Sequence, residues 1–472
     1  MLFKTINLFQ RLGEKLVVKN NILNVIDDNY CIGCGICSAH SSSFTIKEVE
    51  GKPKAFYEDK IDNDIDDVCP FATNINENEI AESIFSNKGM LKSNRIGYYS
   101  KIYSGYVNDR DQRLKSSSGG IATWLLVQLM NEKIIDGVIH VGPSEKNKSL
   151  FKYKISKSIS EIKTNTKSHY YPCDMKDVLT EVKASKKKYA VVGVPCYLKG
   201  LRLLSRKDEN VKRNLLFYFG IFCGHMKTKY YADLIGWQMG INSSNLKKID
   251  FRVKNDKSVN DYSVEVFGKD SSIKERTSNL IGTDWGEGLF KPKACEWCDD
   301  IAGETADISF GDAWLDKYKS DSDGRNIIIV RNALLNQMLE KGNNLNEIEL
   351  AEESIDDVYE SQAGNFRHRR EGLQHRRDIA VARKVWFPKK RYFINSSSIS
   401  YRRKLIYEMR YKLSMKSHKY FLKAKQKNNL NFFILKMLPL QIKYYIINGR
   451  LIKFSIKYIL KIIKYVLRKK EK

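Results

Sequence analysis

The sequence predicts an α/β body flanked by a small cysteine-rich domain and a basic helical tail. Three observations lead there. Between about residues 96 and 345, short runs rich in Val, Ile and aromatics alternate with stretches of helical spacing. Ahead of them, cysteines crowd both ends of residues 26–75. Beyond residue 350, Lys, Arg, Tyr and Ile recur at helical spacing. A chain of 472 residues accommodates such a division, since domains usually take about 100–200 residues each.

In chain order, residues 1–25 read as a short amphipathic helix. Residues 26–90 form the cysteine domain, with an acidic stretch, "DKIDNDIDDV", before Cys69 and a helical linker over 76–95. In the body, residues 91–350, the runs "IYSGYVN", "GVIHVG", "YAVVGVP", "LLFYFGIFC", "ISFGDAW" and "NIIIVRN" are predicted strands. "GGIATWLLVQLMNEK" and "MKDVLTEVKAS" between them are predicted helices. "FRHRREGLQHRR" makes a basic helical run early in 351–472. Further helix follows over 401–470, broken at Pro439 and at Asn448-Gly449.

The net charge of +27 is unevenly placed. Residues 401–472 hold 21 Lys and Arg against Glu408 and Glu471, a balance of +19, which leaves +8 for the first 400. The body therefore shows no nucleic-acid footprint, and no nucleic-acid partner is expected. The nine cysteines are an odd number in a large chain, a poor fit to a disulfide framework. "MLFKTINLFQRLGEKLVV" scatters charge among its apolar residues and lacks the apolar core of a signal peptide. No run of 18 uncharged apolar residues occurs. The expectation is a cytoplasmic protein whose cysteines ligate metal.

Cys31, Cys34 and Cys37 are each separated by two residues, the spacing that lets a loop wrap an iron–sulfur cubane. Gly33 and Gly35 lie between them, where backbone must pass close to the cluster. A second-cluster cysteine would stand four residues beyond Cys37, but that position is Ser41. Cys69, followed by Pro70, has the form of a remote fourth ligand. One [4Fe–4S] cluster is assigned to Cys31, Cys34, Cys37 and Cys69, in preference to zinc, which favours paired knuckles. Cys196 and Cys223 sit at the ends of predicted strands, and Cys295 and Cys298 form a C-x2-C pair. Together they supply four thiolates, enough for a second cluster or for zinc. Cys173 has no assigned role.

Seven segments occur in order: "LKSSSGGIATWLL", "VVGVPCYLKGLR", "FCGH", "IDFRVK", "CEWCDD", "ADISFGDAW" and "DGRNIIIVRN". In order and spacing they resemble the coenzyme F420 hydrogenase/dehydrogenase beta-subunit family, across roughly residues 26–345. The similarity is to its bacterial, exopolysaccharide-associated type with an N-terminal ferredoxin-like segment. The resemblance implies a flavin-binding α/β body in which FAD lies beside a [4Fe–4S] cluster held by Cys196, Cys223, Cys295 and Cys298. It implies FAD contact for Ser116, Ser117, Ser118, Gly119 and Gly120, with Arg113 and Thr123 as neighbours. A Ser/Gly turn opening a helix presents free amides to a pyrophosphate, although alone it reads as an ordinary N-cap. Gly311, Asp312 and Trp314 are expected near the flavin or the second cluster, with core packing the bland reading of Trp314. His225, His169 and Asp312 are the candidate proton carriers, and no catalytic residue is assigned. The chain departs from the family pattern at Tyr197 (usually Gln), in the order Cys223-Gly224-His225, and at "SHYYPC".

The function implied is an iron–sulfur flavoprotein oxidoreductase. It would pass electrons between a one-electron donor such as ferredoxin and FAD, and reduce a small or lipid-linked substrate alongside polysaccharide-synthesis enzymes. The alternatives are an electron-transfer subunit feeding a separate catalytic partner, and a zinc-stabilised binding protein. In the tail, Lys453, Lys457, Lys461, Lys464 and Arg468 share one helical face, and Leu451, Ile452, Ile456, Ile459, Ile463, Val466 and Leu467 cover much of the rest. That pattern predicts a helix lying on an anionic membrane, at the inner face of the cell membrane. A helix packed on the body is the alternative.

Overall fold

The computed structural model describes residues 21–58, 61–144, 149–255 and 261–452, together with 456, 458, 460–462 and 465. An eight-stranded mixed sheet forms the body. Its spatial order is Ile348–Glu352, Lys101–Val107, Asn326–Val330, Ile308–Asp312, Leu215–Ile221, Tyr189–Gly193, Gly137–Pro143 and Phe151–Ser156. The strands from Ile308–Asp312 to Gly137–Pro143 run parallel, and the outer pairings are antiparallel. The parallel strands are buried on both faces and so read as continuous apolar runs, "YAVVG" and "LLFYFGI". All six predicted strands occur in this sheet.

The predicted helices occupy Ile121–Asn131 and Lys176–Ala184. Cys196 does not end a strand. The strand stops at Gly193, and Pro195 opens the helix Pro195–Ser205, placing Cys196 in its first turn. Residues 76–95 are helical over Glu77–Phe85, continued by a 3-10 turn at Ser86–Lys88, and then fold into a hairpin, Leu91–Ser93 with Gly97–Tyr99. Lys248–Lys254, Tyr262–Phe267 and Ser272–Arg276 form a separate three-stranded antiparallel sheet.

The cysteine domain is a hairpin, Phe44–Val49 with Lys52–Tyr57, beside the short helices Asn21–Asp27 and Ile36–His40. It docks on the body where Gly200 meets Ile36, since a Cβ on Gly200 would lie 2.4 Å from Ile36 Cδ1. Residues 1–20 of the expected N-terminal helix lie outside the described residues.

The C-terminal region packs on the body through its first helices. Helix Ala363–Ala382 buries Phe366, Arg369 and Leu373, among others. Helices Tyr401–Gln426 and Leu430–Ile447 pair with each other, and their Phe421, Phe433 and Met437 join one core with Ile22, Cys31 and Leu201. Phe433 stacks on Phe290 at 5.7 Å. Each such buried side chain contributes about 1.5–3 kcal/mol. The first break falls at Lys427–Asn429, where Asn428 is left-handed (φ 45°), and not at Pro439, which lies inside the second helix. The break at Asn448-Gly449 is present. Among the described residues, Leu430–Ile447 is the one helix long and apolar enough to cross a membrane. Its inward side is core, and its outward side exposes Leu435, Ile442 and Ile446. Of the expected basic face, Lys453, Lys457, Lys464 and Arg468 lie outside the described residues, as do Ile459, Ile463, Val466 and Leu467.

Candidate metal and cofactor centre

Cys31, Cys34, Cys37 and Cys69 line one cavity with Ile22, Ile36, Pro70 and Phe71. The loop reaches this shape through two left-handed glycines. Gly33 (φ 66°) would place a Cβ 2.1 Å from the Pro53 carbonyl oxygen, and Gly35 (φ 82°) one 2.9 Å from Lys176 N. Backbone amides point at the sulfurs. Gly33 N and Ala55 N each donate to Cys31 Sγ at 3.4 Å. Backbone groups at Ile36, Ser38, Phe71 and Ala72 hydrogen-bond to Cys34, Cys37 and Cys69. Burial pushes these three thiols up, Cys69 to about 12, and the neighbouring cysteines add to the rise. Four buried or half-buried thiols with amides aimed at them suit thiolates held by a cluster. Ser41 stays out of the site, capping helix Ile36–His40 and accepting from Ser43 N.

The second quartet also assembles. Cys196 leaves the C-terminal end of Tyr189–Gly193, Cys223 that of Leu215–Ile221, and Cys295 and Cys298 lie in and just after the turn Lys293–Trp297. Cys295 Sγ accepts from Met226 N at 3.4 Å. Burial raises Cys196, Cys223 and Cys295, the last to about 11, and each is raised further by others of the four. Cys34 is among the groups that raise Cys196, so the two quartets lie within electrostatic reach of each other. Among the described residues no three His, Cys, Asp or Glu side chains are grouped as a single bound ion would need.

Cationic residues surround the second quartet, and sequence reasoning assigned them no role. Arg369 is 1% exposed. Its guanidinium donates to the Gly224 carbonyl at 2.6 Å, beside Cys223, and lies within electrostatic reach of Cys298, Cys223 and Cys295. Lys52, also buried, donates to the Cys31 carbonyl at 2.9 Å; burial lowers its pKa, and Cys31 and Cys295 partly oppose that. Glu296, between Cys295 and Cys298, is fully buried among Lys291 (2.5 Å), His368 (3.0 Å) and Arg376 (3.2 Å). Lys291 and Arg376, with the His368 contact, hold its carboxyl well below the usual range against the cost of burial.

At the same end of the parallel strands lies the Ser/Gly loop. Arg252 donates to the Ser117 carbonyl at 2.9 Å and pairs with Asp312 at 3.2 Å, tying two of the predicted segments together. Lys254 Nζ donates to the carbonyls of Arg113, Ser118 and Asp323. With the carbonyls held, the amides of residues 117–120 donate to no other described residue. They lie at the start of helix Ile121–Asn131, beside a small pocket lined by Ser117, Arg252, Lys254 and Tyr262. The hydroxyls are committed elsewhere: Ser116 to Gln112 O, Ser118 to Arg325 O, and Ser117 as acceptor from Ser168 N. Arg113 is held by Asp321 and Gly324 O. The free donors of this loop are therefore its amides and the Ser117 hydroxyl. Gly311 abuts Phe222, which precedes Cys223, and a Cβ there would come within 2.3 Å of the ring. Trp314 is 39% exposed, so core packing does not describe it.

His225 packs on Trp285 at 4.5 Å, and burial, aided by Lys227, pushes its pKa well down. His169 stacks on Phe151 at 4.3 Å, and burial lowers it to about 4. Both are half-buried with a buried, unpartnered Nε2, and the lowered values favour the neutral ring at neutral pH. Cys173 is buried beside Tyr197, whose hydroxyl donates to its carbonyl at 2.7 Å; the structure gives its thiol no further role.

The motif segments around these sites match known proteins. Family profiles for the coenzyme F420 hydrogenase/dehydrogenase beta subunit cover residues 102–180 (N-terminal part) and 186–356 (C-terminal part). The chain belongs to this family. The coenzyme F420 hydrogenase subunit beta of Methanothermobacter thermautotrophicus is 25% identical over 265 residues, 52% of this chain and 84% of that one. The protein of the same name from Methanococcus voltae is 23% identical over 56% and 87% of the two chains. The coenzyme F420-dependent sulfite reductase of Methanocaldococcus jannaschii is 24% identical over 69% of this chain, which spans about half (48%) of that relative. A chain from a solved F420-reducing [NiFe] hydrogenase complex of Methanosarcina barkeri aligns with a TM-score of 0.48 at 18% identity, over 63% of this chain and 99% of that one. The first quartet's cysteines precede the matched span, and Arg369 follows it.

Proposed function

We propose that this family member is an iron–sulfur flavoprotein oxidoreductase with two [4Fe–4S] clusters and FAD. One observation carries the reading: Cys196 and Cys223 follow the carboxyl ends of two adjacent parallel strands, where open α/β sheets place their ligands, with the first quartet in electrostatic reach through Cys34 and the Ser/Gly loop at the same end of the sheet. The names of the relatives, hydrogenase subunit and sulfite reductase, agree with redox chemistry.

Cys31, Cys34, Cys37 and Cys69 would hold the first cluster, in residues 26–90. Cys196, Cys223, Cys295 and Cys298 would hold the second, within the 91–350 body. Together these groups supply conversion between one-electron and two-electron carriers. The chain's own residues bind and exclude water. Arg252 and Lys254 hold the carbonyls of Ser117 and Ser118, which leaves the amides of residues 117–120 for the FAD pyrophosphate at a helix start. Asp312 fixes Arg252. Gly311 lets Phe222 approach closely, so this strand end serves both pocket and quartet.

A ferredoxin-like donor suits the first quartet, which lies in the small outer domain. The outward face of Leu430–Ile447, with Leu435, Ile442 and Ile446 exposed beside Lys436 and Lys443, supports peripheral placement on an anionic cytoplasmic membrane surface. A lipid-linked substrate handled with polysaccharide-synthesis enzymes is the class such a face would bring near. The word "subunit" in the relatives' names favours a second reading, electron delivery to a separate catalytic partner.

Anaerobic purification tests the proposal. Broad absorption near ~400 nm that dithionite bleaches, about eight irons per chain and one released FAD are expected. A colourless protein carrying zinc would overturn it.

A further inference from the structure

Helix Ala363–Ala382 begins beyond the residues that match the family, and it brings one cation directly onto the second quartet. A fully buried arginine ordinarily sits against a carboxylate, because an uncompensated buried charge is costly. Arg369 makes no ion pair with a carboxylate among the described residues. It donates through Nη1 to the Gly224 carbonyl at 2.6 Å, next to Cys223. Its Nε is buried without a partner. Burial disfavours its charge, and the groups facing it that oppose this are Cys298, Cys223 and Cys295. The neighbouring basic side chains of the same helix are spent differently: His368 and Arg376 both close on Glu296. Lys52 is shared between the quartets, responding to Cys31 and Cys295. Among the described residues Arg369 faces the second quartet with no carboxylate in an ion pair with it.

We propose that Arg369 is a positioning residue that sets the reduction potential of the second centre above that of the first, and so directs electrons from the cysteine domain to the body. The inference rests on the cluster reading above. A fixed positive charge favours the form with one more electron on the second quartet. One electron is lost by the first centre, which is oxidised, and gained by the second, which is reduced. No proton moves, because the guanidinium stays charged throughout.

The test uses full-length protein purified anaerobically, with iron counted first and each centre's midpoint read by titration under electron paramagnetic resonance. The Cys34→Ser variant identifies the second centre's signal. Arg369→Gln is expected to lower that midpoint by at least tenfold in the equilibrium constant, about 59 mV for a one-electron couple, and to leave the first unchanged. Arg369→Lys, which keeps the charge, is expected to recover most of the shift. Unchanged midpoints in Arg369→Gln, or equal shifts of both centres, would overturn the inference. If Arg369→Gln does not fold, Arg369→Lys must still hold iron at a near-native midpoint; its failure to do so would make the role one of shape and end the proposal. A wild-type protein with about four irons would instead sink the two-cluster reading itself.

Discussion

The two thiol quartets solve one problem in opposite ways. The first takes three cysteines from seven consecutive residues and a fourth from Cys69, all in a domain of small hairpin and short helices. Its shape depends on local backbone, two left-handed glycines and amides aimed at sulfur. The second is built by topology. Parallel strands carry Cys196 and Cys223 to one end of the sheet, a distant turn brings Cys295 and Cys298, and Arg369 closes on them from a helix outside the family span. A local site is vulnerable to backbone strain. A topological site is vulnerable to loss of charge balance.

The largest separation should come from Cys223→Ala. It removes a ligand and leaves Arg369 facing a depleted quartet, so half the iron should be lost and stability should fall by about 3–5 kcal/mol. Iron analysis and thermal unfolding would read both effects, with the first centre's signal intact. Gly33→Ala makes the converse cut. Its Cβ would collide with the Pro53 carbonyl at a left-handed position, a strain of about 1–3 kcal/mol, and the first centre alone should be lost. Retention of both centres would mean that the loop tolerates a shift. Arg252→Met probes the pocket next to both. It leaves Asp312 without its cation and frees the Ser117 carbonyl, so FAD retention should fall on the order of tenfold to a hundredfold, at about 1.4 kcal/mol per decade. Equilibrium dialysis would measure it, and iron content should not change.

The smallest effect concerns the helices that cover the body. Glu287 is buried against Gln441 and Tyr445 of Leu430–Ile447. Burial, with Asp284 next, lifts its pKa to about 7. Between the ordinary carboxyl range and that value, the folded protein holds the proton and the unfolded chain does not. Stability is then greatest below that window and falls as pH rises through it, by at most about 1.4 kcal/mol per pH unit. Urea midpoints at pH 5 to 8 should show this fall in the wild type and not in Glu287→Gln. Iron in the first quartet should stay constant across the series.

The same contrast explains what could be read from sequence. Cys31, Cys34 and Cys37 announce themselves because their spacing is local, and Cys-Pro at position 69 completes them. Cys196, Cys223, Cys295 and Cys298 group as four thiolates in sequence, but they are too dispersed for spacing to choose between cluster and zinc, and only resemblance favoured the cluster. The six strands were legible from their apolar runs. Arg252, Arg369 and Lys52 were not, because a basic side chain reads as solvated until its buried neighbours are known. "FRHRREGLQHRR" is the plainest case: its charges look outward in sequence, yet His368, Arg369 and Arg376 are buried against Glu296 and the thiols. The helix through Pro439 was missed for a related reason. Packing of Phe433, Met437 and Tyr444 outweighs the one lost backbone hydrogen bond.

The central claim is that two separate cysteine quartets each hold a cluster. Iron and acid-labile sulfide in anaerobically purified Cys34→Ser test it most directly. The account predicts a fall from about eight to about four of each per chain, with FAD still bound. Unchanged iron, or loss of all of it together with the flavin, would contradict two independent centres.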